Sequence, residues 1–172
     1  MSTTPAQIDL WLASPSETRK LEFKEAKAQF PRDRLYKYCV AIANEGGGHL
    51  LLGVTDGKPR RVVGTSAFGN PVATESEIFN TLGFRVDIDE VSHPEGRVLV
   101  FQIPGRPLGT AYAYEGVRWM RVGEELRQMS DDRLRQIFAE GQPDFVELTA
   151  KDGCSEEEIV MLLDTASYYD LR

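Results

Sequence analysis

Apolar side chains recur along this chain in two rhythms, one near 3.6 residues and one of two, and the switches between them predict its elements. Leu35, Tyr38, Cys39, Ile42 and Ala43 stand at the i, i+3, i+4, i+7, i+8 spacing of an amphipathic helix, and residues 49–54, HLLLGV, form an apolar run of buried-strand length. Between them lies Glu45-Gly46-Gly47-Gly48, where glycine supplies a left-handed helix cap and a close turn of backbone. Upstream, Thr4-Pro5 opens a short helix with Ile8, Trp11 and Leu12 on one face, closed before Ser14-Pro15. Leu21 and Phe23 then alternate with Lys20, Glu22 and Lys24 in the period of a half-buried strand. That alternation predicts Glu22 and Lys24 on the face opposite the core, with Glu17 at the strand's entry.

After Asp56, which also reads with Gly57 as a common turn signature, residues 57–64 predict a turn and a short strand, and 64–71 a loop. Residues 74–84 predict a helix with Ile78, Phe79 and Leu82 on its face, and Glu75 and Glu77 suit its positive N-terminal end. Strands are predicted over 85–91, 97–104 and 117–122. The unbroken Val98-Leu99-Val100-Phe101 marks a central one, joined to its neighbour by a hairpin turn at His93-Pro94-Glu95-Gly96. Ser130 caps a helix carrying Leu134, Ile137 and Phe138. The fold class expected is α+β, a mixed, largely antiparallel sheet flanked by helices over residues 1–140. Residues 141–153 read as a polar linker. Ser155-Glu156-Glu157-Glu158 is a capping box for a helix within 154–172 carrying Ile159, Leu162 and Leu163. Its apolar stripe needs a cover, from the domain, a partner subunit or a following region. The expectation is that it starts a further region of a longer parent.

Charge changes this picture only when it is localised. The chain of 172 residues carries a net charge of −7, which alone is hostile to nucleic acid. Residues 1–130 hold 16 basic and 16 acidic side chains, however, and residues 131–172 hold 4 and 11, so the whole deficit is C-terminal. Residues 19–61 carry 10 basic against 5 acidic side chains, enough for a cationic face on an acidic protein. No apolar run approaches the roughly 18 residues of a membrane span, and the N-terminus lacks the pattern of a signal peptide. Cys39 and Cys154 are far apart without partnering histidines, against a disulfide framework or zinc site. A cytoplasmic location is expected.

An ordered set of motifs then resembles a known family. Ser16-Glu17 and Glu22-Phe23-Lys24, Ala41-Ile42-Ala43-Asn44-Glu45-Gly46-Gly47-Gly48, Leu52-Gly53-Val54-Thr55-Asp56, Val63-Gly64 and Arg118-Trp119-Met120-Arg121-Val122-Gly123 together look like the Schlafen AlbA_2 domain. This module stands at the front of many bacterial regulator-like proteins. The resemblance spans roughly residues 17–138 and implies the α+β fold and an association with nucleic acid, RNA or DNA. The function expected is a nucleic-acid-binding domain of a transcriptional-regulator-like protein.

Some vertebrate Schlafen proteins are metal-dependent endoribonucleases acting on structured RNA such as tRNA. Their three acidic residues match Glu17, Glu22 and Asp56, which the resemblance therefore implies as a catalytic and metal-binding set for Mg²⁺ or Mn²⁺. Carboxylates suit such ions, which activate water and neutralise charge on a phosphoryl centre. Lys24, Lys37, Arg60, Arg61 and Arg121 are candidates for contacting the nucleic-acid backbone. Vertebrate cores enclose a positively charged valley between two related lobes; this chain has room for one, so a valley would require a homodimer. Each acid also has a plainer reading, as a cap, a salt bridge or a turn residue. A protein-interaction or ligand-sensing module, with the same glycines and acids as scaffold, is a further alternative. ATP binding is disfavoured, because Gly53-Val54-Thr55-Asp56-Gly57-Lys58-Pro59 has the wrong spacing for a phosphate loop and the Gly46–Gly48 turn leads into a strand.

Overall fold

In the computed structural model the described residues are 3–13, 20–123, 125–141, 153 and 155. The chain divides into two compact units, Met1–Gly141 and Gln142–Arg172, and the architecture below is that of the first. The predicted C-terminal helix within 154–172 and most of the 141–153 linker lie outside the described residues.

Helix α1 (Pro5–Ala13) leads to strand β1 (Leu21–Lys24), helix α2 (Arg32–Asn44) and strand β2 (Gly48–Leu52). Helix α3 (Pro71–Leu82), the hairpin β3 (Asp87–His93) and β4 (Gly96–Ile103), the ribbon β5 (Trp119–Val122) and β6 (Glu125–Gln128), and helix α4 (Asp131–Ala139) follow. The main sheet has the order β1-β2-β4-β3, with β1 and β2 parallel across the α2 crossover and the other pairs antiparallel. This is the α+β fold with a mixed, largely antiparallel sheet.

Both faces of the sheet are covered. Leu50, Leu52, Leu99 and Phe101 pack with α2 and α3, whereas Leu51, Val98 and Val100 pack with Leu21, Phe23 and Ile8 of α1. The continuous apolar run of β4 follows directly, because each face of a central strand needs its own apolar set. The same double cover corrects the reading of β1. Glu22 and Lys24, expected on an open face, are 8% and 9% exposed, since their register partners Leu50 and Leu52 lie under α2.

The glycine turn after α2 is built as its sequence demands. Gly46 takes φ +97° and Gly47 φ +84°. The Gly47 N–H donates to the Ile42 carbonyl at 2.9 Å and the Gly46 N–H to the Ala43 carbonyl at 3.1 Å, the paired bonds of a Schellman cap. A Cβ at Gly47 would stand 2.6 Å from the Gly105 nitrogen, so the turn also lets the segment after β4 pass against it.

Other boundaries moved for local reasons. Helix α3 starts at Pro71, three residues before the predicted start, because Asn70 accepts the Ala73 N–H as its cap. Within 57–64 the predicted short strand reduces to one bridge between Val54 and Val62, and β6, too polar to show a strand rhythm, was not anticipated. Glu75 does not serve the α3 N-terminus but accepts the Ile88 N–H of β3 at 2.7 Å. Ser130 caps α4 as expected, accepting the Arg133 N–H at 3.2 Å. No helix among the described residues is long and apolar enough to cross a membrane.

Candidate functional site

Strand β1 aims Glu22 and Lys24 at the α2 side of the sheet, and two later segments close on them. After β2 the chain bends at Gly53, φ +98°, where the Arg97 carbonyl would lie 2.8 Å from a Cβ. The bend carries Asp56 back beside β1. There Asp56 Oδ1 accepts the Glu25 backbone N–H at 2.9 Å and Oδ2 accepts from Lys24 Nζ at 3.0 Å. Lys24 Nζ also lies 3.0 Å from Glu22 Oε1, so one ammonium bridges two carboxylates that are far apart in sequence.

From the other side comes β5. Arg121 Nη1 donates to Glu22 Oε2 at 3.0 Å, and its Nε and Nη2 donate to Glu45 Oε2 at 3.0 and 2.8 Å. The result is an alternating row, Asp56–Lys24–Glu22–Arg121–Glu45, running from a carboxylate whose side chain is 51% exposed into the interior. Burial pushes the Lys24 pKa down, but Glu22 and then Asp56 outweigh it and hold it above the ordinary lysine value. Arg121 is likewise held above its ordinary value, Glu45 and Glu22 outweighing burial. Both cations are therefore fixed charges at any physiological pH.

Asn44, at the end of α2, locks β5 in place. Its Oδ1 accepts the Tyr112 N–H at 2.8 Å and its Nδ2 donates to the carbonyls of Tyr112 and Trp119, each at 3.0 Å. Asn44 and Glu45 were not singled out from the sequence. The available signal was two adjacent polar residues closing an apolar helix just before a glycine run.

The remaining candidates are spread out. Lys37 bonds Asp33 one helical turn away at 2.8 Å and lies 4.9 Å from the centre of the Trp119 ring. Arg61 is exposed. Arg60 is buried, with its guanidinium carbon 4.5 Å from the Phe23 ring centre. Arg60 and Arg121 are thus packed inside the fold rather than displayed to a ligand, because each guanidinium is held by a partner from another segment. Glu17 lies outside the described residues. A cleft of about 420 Å³ opens at the Asp56 end of the row, lined by Lys24, Phe30, Arg34 and Asp56 among others. Arg34, exposed on α2, is a cation of this cleft that the sequence reading did not select.

The fit of a divalent ion can be tested on these contacts. Each oxygen of Glu22 and Asp56 already has a donor, and a +1 ammonium stands midway between the two groups. Mg²⁺ keeps several waters when bound to protein, and the Glu22 carboxylate is buried. Among the described residues no group of three or more His, Cys, Asp or Glu side chains is placed to hold a metal. As arranged, Glu22 and Asp56 do not fit a shared divalent ion.

The family described as Schlafen, AlbA_2 matches residues 17–130, and the chain belongs to that family. Among solved structures it is similar to the DIP2311 protein from Corynebacterium diphtheriae. That likeness has a TM-score of 0.57 at 22% identity and covers 72% of this chain and 29% of that one, so the matched region is under a third of that protein's length. It is also similar to the N-terminal domain of a protein from Nitrosomonas europaea related to the ATP-dependent DNA helicase RecG. The TM-score there is 0.48 at 20% identity, over 76% of this chain and 95% of that one. The first likeness concerns the fold. No curated protein matches the chain.

Proposed function

We propose that this domain binds nucleic acid through the sugar-phosphate backbone at the cleft beside Asp56. The observation that carries the reading is the placement of cations there: Lys24 and Arg34 line one cleft, within the one stretch of the chain, residues 19–61, that is rich in basic side chains. Membership of the Schlafen AlbA_2 family supports an association with nucleic acid. Phosphates contacted by lysine and arginine release counterions, so affinity comes without a demand for base sequence. Phe30, also on the cleft wall, offers an aromatic edge for a base. The alternative implied by the family, a divalent-metal endoribonuclease through Glu17, Glu22 and Asp56, draws less support, because Glu22 and Asp56 are spent on Lys24 and Arg121.

Binding of tRNA, single-stranded RNA and duplex DNA across a salt series tests the reading. Affinity should fall linearly in the logarithm of salt, with a slope of about −0.7 per phosphate neutralised on single strands and −0.9 on B-DNA. Affinity that does not change with salt would sink it. Metal-dependent cleavage of the same RNAs, lost on substituting Asp56, would install the nuclease reading in its place.

A further inference from the structure

We propose that Lys24 is the resident cation of this cleft, holding the position between Glu22 and Asp56 that a divalent ion would otherwise take, so that the site works without a metal. Three features of the row carry this. The ammonium is 3.0 Å from each carboxylate, which fixes its height in the row. The Arg121 guanidinium takes the second oxygen of Glu22 at 3.0 Å, leaving that carboxylate no edge free of a cation. Counted along the row, three carboxylates and two cations sum to −1, a charge that an added Mg²⁺ would reverse to +1 in a buried place.

The arrangement also gives Lys24 a task. An ammonium has three donors; the carboxylates of Glu22 and Asp56 take two, and the third serves a phosphate oxygen entering the cleft. That last step rests on the nucleic-acid reading above, whereas exclusion of metal does not. Tyr38, whose ring centre is 5.6 Å from Nζ, backs the lysine from α2 and keeps it from folding away.

The test uses the whole chain and Mn²⁺ alone as probe, followed by electron paramagnetic resonance and calorimetry without nucleic acid. The wild-type protein should show no saturable Mn²⁺ binding at millimolar ion. Lys24→Met, near in size but neutral, should acquire a Mn²⁺ site that a further Asp56→Asn change removes; Lys24→Gln is the second variant should the first lose its fold, checked by circular dichroism. Saturable Mn²⁺ binding by the wild-type protein, lost in Asp56→Asn, overturns the proposal. Folded Lys24→Met and Lys24→Gln that both stay silent to Mn²⁺ overturn it too, since Lys24 would not then be what excludes the ion. In a separate arm, RNA affinity at matched ionic strength should be equal in EDTA and in Mg²⁺, and affinity that requires Mg²⁺ counts against metal independence. Absence of RNA binding in both conditions strikes the proposed function and leaves the Mn²⁺ result to decide the role of Lys24.

Discussion

Glu45 and Arg121, 76 residues apart in sequence, are joined by three donors on one carboxylate. The Arg121 backbone N–H reaches Oε1 at 2.5 Å, and Nε and Nη2 reach Oε2 at 3.0 and 2.8 Å. The pair fastens the β5–β6 ribbon to the C-terminus of α2 and, through Nη1, sets the position of Glu22. Glu45→Ala removes one member of a largely buried pair and leaves the guanidinium short of its main partner. The expected loss is about 3 kcal/mol of stability, read as a lower urea midpoint with unchanged slope.

Gly46 and Gly47 make a controlled comparison. Both have positive φ, but a Cβ at Gly46 meets nothing within 4 Å, whereas one at Gly47 meets the backbone of Ile103, Pro104 and Gly105 below 3.0 Å. Gly46→Ala should cost about 1 kcal/mol, the left-handed conformation alone. Gly47→Ala should cost at least about 3 kcal/mol, because two backbone segments must part. Equal losses in denaturant unfolding would show that the close approach is not rigid.

The His49 ring stacks near Trp11, with centroids 4.9 Å apart. Burial lowers its pKa; Asp89 opposes this and Lys20 adds to it. A histidine whose folded pKa is lowered binds its proton better when unfolded. Stability is therefore unaffected above the ordinary value near 6.5 and declines as pH falls below it. His49→Gln should flatten the part of the stability profile between about pH 7 and 5 that belongs to this residue. Unfolding midpoints of both proteins across that range measure it, and parallel profiles would exclude the assignment.

Arg34 and Arg61 are exposed cations, and the Arg34 guanidinium also lies over the Tyr38 ring at 5.7 Å. Arg34→Ala lines the proposed cleft and should reduce the salt slope of RNA binding by about 1 while weakening all sequences alike. Arg61→Ala should do the same if the strand passes the loop after β2. A slope that stays at its wild-type value in both variants places the bound strand elsewhere.

Arg97 organises the loop between Val62 and α3. Its Nη1 donates to the carbonyls of Thr65 and Ala67 at 3.1 and 2.9 Å, and its Nη2 to that of Phe68 at 3.0 Å. Arg97→Met keeps the aliphatic stem and strands three carbonyls. About 2 kcal/mol of stability should be lost, together with reduced protection, that is faster amide hydrogen exchange, in that loop.

Much of this architecture was legible in the chain's rhythm. The spacing of Leu35 to Ala43 gave α2, the glycine run gave its cap, the apolar block 98–101 gave the central strand, and Ser130 gave the cap of α4, because each of these is decided by bonds and periods within a few residues. The ordered motifs gave the family for the same reason. The site was legible only as a set of residue types. Alternation in β1 put Glu22 and Lys24 on a solvent face, since a period of two reports which side chains share a face and says nothing about what lies over it. Only the folded chain decides that α2 covers that face, that Gly53 turns Asp56 back onto Lys24, and that Arg121 and Glu45, 76 residues apart, close the row. Those pairings are set by long-range packing, and a charge buried by such packing must find its partner there.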